Sequence, residues 1–223
     1  SDNAGSGLFI GSFYDDTLST FTGDISNNVL NSNQFSGLDV AVGTFDGSVM
    51  NNVAQSNQFT GFSILTTQSL TGDISGNKAL TNQTGMMLAS PVFVGNVSGN
   101  TVSQNTFDGL LFDVTERFDG SVLYNIAESN GGTGIQLFLA DESFGDVSFN
   151  TTNMNNVGIQ ITAKLFDGFI EGNTANNNQL EGINIFIFDD SPILSEIESN
   201  DTLLTAQNID AADFILSSNF NIT

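Results

Sequence analysis

The sequence predicts an all-β protein that folds as a right-handed parallel β-helix of about eight coils, with about 24 residues and three short strands per coil. Two observations predict this fold. Asparagine and glycine recur along the chain at a nearly fixed interval, and apolar residues alternate with polar ones within each repeat. A repeat of this length favours a solenoid, because each unit can bury its apolar side only against its neighbours.

The asparagines form two columns in the aligned repeats, and the second column follows the first by five residues. Only the last repeat breaks the second column, with Thr205. The first column contains Asn28, Asn52, Asn77, Asn100, Asn125, Asn150, Asn173 and Asn200. The second column contains Asn33, Asn57, Asn82, Asn105, Asn130, Asn155 and Asn178.

Both columns are interpreted as structural ladders. Neighbouring coils lie about 4.8 Å apart, which is the spacing at which one side-chain amide can donate a hydrogen bond to the next. Asparagine also tolerates the left-handed backbone of a sharp corner. We therefore expect each ladder asparagine to lie at a corner, with its amide bonded to the same residue in the next coil.

A glycine opens most repeats, and a strand with a period of two follows it. A second strand contains a column that is mostly phenylalanine, and a third lies between the two asparagine columns. The opening glycines are Gly7, Gly37, Gly61, Gly109, Gly134, Gly158 and Gly182, with Met86 at this position in the fourth repeat. The phenylalanine column is Phe21, Phe45, Leu70, Phe93, Phe118, Ser143 and Phe166.

The unbroken repeat assigns the 223 residues to one domain. We expect the β-helix to span residues 1–200. Residues 201–223 depart from the repeat, and they are expected to form a shortened last coil or a C-terminal cap and assembly segment. The chain has no cysteine, which excludes a disulfide framework, and no apolar run long enough to predict a membrane span.

The chain has 25 acidic residues and only three basic ones, Lys78, Arg117 and Lys164, so its net charge is −22. A field of this sign repels phosphate groups and disfavours binding to nucleic acid or to anionic membranes. We expect neither a nucleic-acid partner nor insertion into a membrane. The charge suits a secreted or surface protein in water that is rich in salt or in divalent cations.

The repeats, for example residues 97–112, resemble the parallel β-helix repeat of pectin-lyase-like proteins, and the resemblance extends from about Gly7 to Asn200. It implies the fold but not one activity, because that superfamily includes lyases, hydrolases, adhesins and tail proteins. Its catalytic members generally use a basic residue with calcium, or paired aspartates with histidine, arginine and lysine.

The catalytic pattern of those relatives is not reproduced here. The chain has no histidine, and Asp189-Asp190 lacks the companion motifs of the hydrolases. Arg117, the only arginine, follows Glu116 and is interpreted as a locally neutralised turn residue rather than a lyase base. We therefore expect that the protein is not an enzyme.

Acidic residues recur near the turn after the first strand of several repeats. Carboxylates of adjacent coils can share a hard cation such as Ca²⁺, although no spacing matches a dedicated calcium loop. A solvated acidic edge explains the same residues, so we expect no cofactor, with Ca²⁺ as the candidate if there is one. The candidate ligands are Asp141, Glu142, Asp189 and Asp190.

Apolar residues at outward positions of the first strand indicate a contact surface, and they include Phe138, Phe186 and Phe188. The segment 214–223 resembles a strand, and its Phe214, Leu216 and Asn221 are expected to take part in assembly. Its Asn221 is spaced to complete the coil of a following copy that begins with Asn3 and Gly7.

The expected function is therefore structural: an extracellular or cell-surface subunit whose copies associate end to end into a fibre, sheath or adhesive stalk. The alternative is a β-helix protein that binds or degrades a polysaccharide, with glycans as partners. The scarcity of cationic residues argues against an acidic glycan as the ligand, so a neutral glycan is the candidate.

Overall fold

The computed structural model describes residues 3–11, 19–139 and 142–188. These residues form an all-β parallel solenoid of about seven turns of about 24 residues, which confirms the predicted fold class. Most of the predicted eighth coil, from residue 189 onward, and the segment 201–223 lie outside the described residues. No described residue belongs to a helix, so this part of the chain contains no helix of membrane-spanning length.

The described residues form 22 strands, numbered in chain order. They are β1 (Leu8–Gly11), β2 (Thr20–Thr22), β3 (Ile25–Ser26), β4 (Leu38–Asp46), β5 (Val49–Met50), β6 (Val53–Gln55), β7 (Thr60–Thr71), β8 (Ile74–Ser75), β9 (Lys78–Leu80), β10 (Thr84–Val94), β11 (Val97–Ser98), β12 (Thr101–Ser103), β13 (Leu110–Asp119), β14 (Val122–Leu123), β15 (Ile126–Glu128), β16 (Thr133–Leu139), β17 (Glu142–Phe144), β18 (Val147–Ser148), β19 (Val157–Ala163), β20 (Phe166–Asp167), β21 (Ile170–Glu171) and β22 (Ile183–Ile187).

The strands assemble into three parallel sheets, one for each side of the coil. The first sheet follows the order β1-β4-β7-β10-β13-β16-β19-β22, with the short strands β2, β17 and β20 beside this path. The second runs from β21 to β3 and the third from β15 to β6. Each long strand of the first sheet bends at a register shift, for example between Val42 and Thr44. The coil thus has three sides as predicted, but the phenylalanine column, which was expected in the second strand, lies at the end of the first-sheet segment, as Phe45 in β4 and Phe93 in β10 show.

Apolar side chains fill the interior in columns that run along the axis. The phenylalanine column is confirmed: consecutive members pair across neighbouring strands, as Phe93 does with Phe118, whose ring centroids are 5.7 Å apart. Ser143 interrupts this column, and its buried hydroxyl donates a hydrogen bond to the carbonyl oxygen of Leu165 at 2.6 Å. A column of small or branched residues fills the third side: Leu30, Ala54, Ala79, Val102, Ala127, Thr152 and Ala175.

The opening glycines stack because the backbones of adjacent coils meet there. A Cβ on Gly61 would lie 2.6 Å from the carbonyl oxygen of Gly85, and a Cβ on Gly85 would lie 2.4 Å from that of Gly109. The prediction that Met86 takes the glycine position is therefore wrong. Gly85 takes it, because the fourth repeat is one residue shorter before its first strand, and Met86 is a buried core residue.

Candidate functional site

The first asparagine column is a continuous hydrogen-bonded ladder. Asn100 donates from its backbone N–H and from Nδ2 to Oδ1 of Asn125, both at 3.0 Å. Asn125 in turn donates from Nδ2 to the carbonyl of Val97 at 2.8 Å and to Oδ1 of Asn150 at 3.0 Å. Every hydrogen-bonding group of the buried Asn125 amide is thus satisfied. The pattern runs from Asn28 to Asn173, which confirms the predicted ladder there, whereas Asn200 lies outside the described residues.

The second column forms an equivalent ladder from Asn33 to Asn178. Asn3 begins it, because its Nδ2 donates to Oδ1 of Asn33 at 2.9 Å. Asn3 therefore occupies the second-column position of the first coil.

The residue with a left-handed backbone at each corner was expected to be the ladder asparagine. In the structure it is the residue before the ladder asparagine. Tyr124, which precedes Asn125, has a φ of 56°, and Phe149, which precedes Asn150, has a φ of 57°. The ladder side chain must point inward to reach its neighbours, so the left-handed turn falls on the preceding residue, whose side chain points outward. The first corner has Asn27, Asn51, Gly76, Gly99, Tyr124, Phe149 and Gly172 at this position.

A third ladder lies on the surface and was not predicted from the sequence. The backbone N–H of Ser48 donates to Oδ1 of Asp24 at 2.8 Å, and that of Asn96 donates to Oδ1 of Asp73 at 2.8 Å. Its direction is opposite to that of the asparagine ladders, since each N–H donates to the preceding coil. The sequence signal was a short polar residue after a second column of glycines. The ladder contains Asp24, Ser48, Asp73, Asn96, Ser121 and Asp146, and it ends on the N–H of Phe169.

The described part of the predicted acidic edge does not form a cation site. Glu142 is exposed and pairs in strand register with Arg117, while Asp141, Asp189 and Asp190 lie outside the described residues. Among residues 3–11, 19–139 and 142–188, no three acidic, histidine or cysteine side chains lie close enough to hold a metal ion. A Ca²⁺ site at these four residues stays a prediction.

Arg117 is held by two local contacts. Its Nη2 donates to Oδ2 of Asp119 at 2.8 Å, and its guanidinium lies 5.5 Å from the centre of the Phe144 ring. Both residues of the ion pair are about half exposed, so the pair contributes little to stability. This geometry agrees with a neutralised surface residue.

Asp39 is the described carboxyl whose environment changes its pKa. It lies on the outer side of the first sheet, where partial burial raises its pKa above the ordinary value of 3.8. Hydrogen bonds from Ser6 and then Ser63 act in the opposite direction but only partly offset burial.

The outward apolar residues of the first sheet fall into two columns rather than one row. Phe138 and Phe186 share a column but are separated by Thr162, and Met87 and Leu111 are neighbours in the other column. Phe138 is about one-third exposed, while Phe188, beyond the end of β22, is 71% exposed. Phe214, Leu216 and Asn221, which were predicted to take part in assembly, lie outside the described residues.

Two pairs of exposed aromatic rings stack along the corners. Tyr124 and Phe149 have ring centroids 5.2 Å apart and nearly parallel planes, and they are 60% and 45% exposed. Phe35 and Phe59 form a similar pair at 5.3 Å on another corner. Tyr124 and Phe149 both adopt a left-handed backbone, which is unusual for aromatic residues.

The two ends of the described solenoid expose part of the core. Leu8 and Ile10 of β1 point inward but are only partly buried, whereas Leu38 and Val40, one coil further along, are fully buried. At the other end, Ile185 of β22 is only partly buried, unlike its buried neighbour Ile161.

The ladder ends are chemically opposite. Among the described residues, no group donates to Oδ1 of Asn28, so this end of the first ladder presents an acceptor. The backbone N–H groups of Asn173 and Asn178 find no acceptor in the same part of the chain, so the other end presents donors.

These features define a class of protein by fold alone, a parallel β-solenoid with internal asparagine ladders. No family model matches the chain, and no curated protein or solved structure matches it.

Proposed function

We propose that the protein is a structural β-solenoid subunit that associates end to end with copies of itself. The partial exposure of Leu8 and Ile10 on β1 and of Ile185 on β22 carries the proposal, although Ile183 at the start of β22 is buried. Internal coils bury the equivalent side chains completely. A strand at the edge of a sheet favours the addition of another strand, and a copy of the chain supplies a surface with the same repeat.

The proposed setting is extracellular or on the cell surface, in a fibre, sheath or adhesive stalk. The net charge of −22 supports this setting. The repeat also supports membership of the pectin-lyase-like superfamily as a fold relationship. We propose no catalytic role, because the sequence has no histidine and its single arginine pairs with Asp119.

Sedimentation velocity over a wide concentration range, with electron microscopy of the same samples, tests the association. We expect the wild-type protein to form linear oligomers and Ile10→Asp to remain monomeric, because the new charge lies on the inward side of β1. Phe9→Asp is the matched control, since it places the same charge on the same strand but on the exposed outer side. A wild-type protein that stays monomeric at the highest concentration would overturn the proposal.

A second candidate function is the binding of a neutral polysaccharide. The exposed stacked pair Tyr124 and Phe149 favours it, because aromatic faces supply apolar contact area to a partner. Affinity electrophoresis in gels that contain a neutral glucan tests it. Slower migration in the glucan gel should be lost in Tyr124→Ala and kept in Phe35→Ala, which removes a ring from the other pair. Equal migration of all three proteins with and without glucan would exclude it.

A further inference from the structure

We infer that a neutral sugar ring binds in a notch on the first corner of the solenoid, stacked on the face of Tyr124 that Phe149 does not cover. The inference rests on the second candidate function, the binding of a neutral polysaccharide, and specifies its site. The notch is the surface above Gly76 and Gly99, and it lies between Asn51 on one side and Tyr124 on the other.

The corner residues of successive coils stack directly on one another. The backbone N–H of Gly76 donates to the carbonyl of Ser98 at 3.0 Å. The backbone N–H of Gly99 donates to the carbonyl of Leu123, also at 3.0 Å. Each acceptor directly precedes the next corner residue, so neighbouring corner residues are one coil spacing apart, about 4.8 Å. The four corner positions from 51 to 124 therefore span three spacings, about 14 Å.

Side chains at this corner lean toward the next coil, and the two glycines leave the notch open. A Cβ on Gly76 would lie 2.5 Å from Oδ1 of Asn51, so the Asn51 side chain covers Gly76. In the same way, a Cβ on Gly172 would lie 2.5 Å from two ring carbons of Phe149. A Cβ on Gly99 would meet only the backbone nitrogen of Gly76, at 4.0 Å. No side chain of the described residues therefore covers Gly99.

Tyr124 forms a flat aromatic wall at one side of the notch. One face of its ring stacks on Phe149, with 5.2 Å between the centroids and 10° between the planes. The other face points back toward Gly99, which has no side chain, and Tyr124 is exposed. Aromatic rings supply a large, rigid contact area, and a sugar ring can present its C–H groups to such a face. Phe149 supports this wall from behind.

Polar groups line the other sides of the notch. The outward column of the second sheet places the hydroxyls of Ser75 and Ser98 beside the glycines. The outward column of the third sheet places Lys78 and Thr101 on the opposite side. The carboxamide of Asn51 lies opposite the aromatic wall. These hydroxyl, amide and ammonium groups can exchange hydrogen bonds with the hydroxyls of a sugar.

Charge and size at the notch favour a neutral sugar ring as the occupant. The net charge of −22 opposes an anionic ligand. Lys78, which is exposed beside the glycines, opposes a cation that would otherwise bind the face of Tyr124. The open floor is about two coil spacings long, about 10 Å, which accommodates one ring stacked on Tyr124 together with the hydroxyls that it directs toward Asn51.

Filling the floor tests the site while the aromatic pair stays in place. Gly99→Asn adds a side chain to the notch at a φ of 63°, and Asn51 already has a φ of 57° at the same corner. Ser56→Asn is the matched control, because it places the same side chain at a φ of 57° on the other corner. In gels that contain a neutral glucan or a neutral galactomannan, Gly99→Asn should lose the retardation of the wild-type protein. Ser56→Asn should keep it, and circular dichroism verifies that both variants fold.

Tyrosine fluorescence provides a measurement that leaves the notch unchanged. The chain has two tyrosines and no tryptophan, so Tyr14→Phe leaves Tyr124 as the only tyrosine. A soluble oligosaccharide of the retarding polysaccharide should protect Tyr124 emission from quenching by acrylamide, because the sugar covers the open face of the ring. Tyr14→Phe/Gly99→Asn should show no such protection. Unchanged quenching of Tyr14→Phe at saturating oligosaccharide would overturn the proposed site.

The outcomes separate this site from the candidate function. If the wild-type protein migrates equally with and without either polysaccharide, the candidate function and the notch are both overturned. If Tyr124→Ala loses the retardation but Gly99→Asn keeps it, the sugar binds elsewhere on the aromatic pair, which retains the function and overturns the notch. Equal loss in Gly99→Asn and Ser56→Asn would overturn the notch as well.

Discussion

The replacement Asn125→Leu tests whether the first ladder stabilises the solenoid. Leucine removes the acceptor of the Asn100 backbone N–H and of one Asn100 Nδ2–H, and it removes the donor to the carbonyl of Val97. Asn150 keeps the bond from the unchanged backbone N–H of residue 125. Each buried group without a partner costs about 1–3 kcal/mol. With some gain from the apolar side chain, we expect the free energy of unfolding to fall by about 3–6 kcal/mol.

The matched control is Asn28→Leu at the end of the same ladder. No described group donates a hydrogen bond to Oδ1 of Asn28, and Oδ1 of Asn52 still accepts the hydrogen bond from the backbone N–H of residue 28. This change therefore leaves no buried donor without a partner. We expect a loss below about 1.5 kcal/mol. Urea unfolding, with the midpoint followed by circular dichroism, compares the two variants. If both variants lose the same stability, or if Asn125→Leu loses less than the control, the ladder is not the stabilising element argued here.

Three further perturbations have expected outcomes. Asp39→Asn should stabilise the protein at neutral pH, because partial burial raises the pKa of Asp39 and so penalises its ionised form in the folded state. That gain in stability should disappear below pH 3.8, where the carboxyl is protonated in both the folded and the unfolded state. Melting curves of both proteins across the pH range measure it, and a gain that remains below pH 3.8 would contradict the reasoning. Gly120→Ala should destabilise the protein by several kcal/mol or prevent folding, because its Cβ would overlap the carbonyl of Gly95. Gly99→Ala, which has open space but a φ of 63°, should cost only about 1 kcal/mol in the same unfolding assay, and equal losses would contradict this account. If Asp141, Glu142, Asp189 and Asp190 hold Ca²⁺, millimolar CaCl₂ should raise the melting temperature more than NaCl of matched ionic strength does, because the ion binds the native state. An equal rise with both salts would show that only screening of the net charge of −22 is involved.

The ladders and the strand alternation could be predicted because they depend on side chains that repeat in the sequence. The Asn125 position is occupied by asparagine in each described coil, since only a carboxamide supplies both the two donors and the acceptor used there, and glutamine would carry it one methylene further from the backbone. The surface ladder escaped prediction because it requires only an oxygen that accepts one N–H. Asp24, Ser48 and Asn96 all supply one, so residue identity varies while the interaction does not.

Positions that depend on backbone geometry were harder to predict. The left-handed residue before each ladder asparagine includes glycine, asparagine, Tyr124 and Phe149, so its composition does not reveal its conformation. The glycine of the fourth coil was misplaced because it follows Asn82 by three residues, as Gly158 follows Asn155, whereas the usual spacing of four residues selects Met86. The contact between backbones identifies Gly85 as the stacked glycine of the fourth coil, because a Cβ at this position would overlap the carbonyl oxygen of Gly109.

If copies associate as proposed, the charge opposes contact across the axis more than contact along it. The charged side chains lie on the outside of the described coils, and none belongs to the buried core. With a net charge of −22, two copies that approach side by side bring surfaces of the same sign together, which opposes lateral contact. The ends instead present the partly buried Leu8, Ile10, Ile185 and Ile187, with ladder amides beside them. A contact between apolar and neutral amide groups is little affected by that repulsion, and the direction of the ladders admits one relative orientation. The proposed association should therefore be less sensitive to salt than a contact between the charged sides of the solenoid, which sedimentation velocity at two ionic strengths would measure.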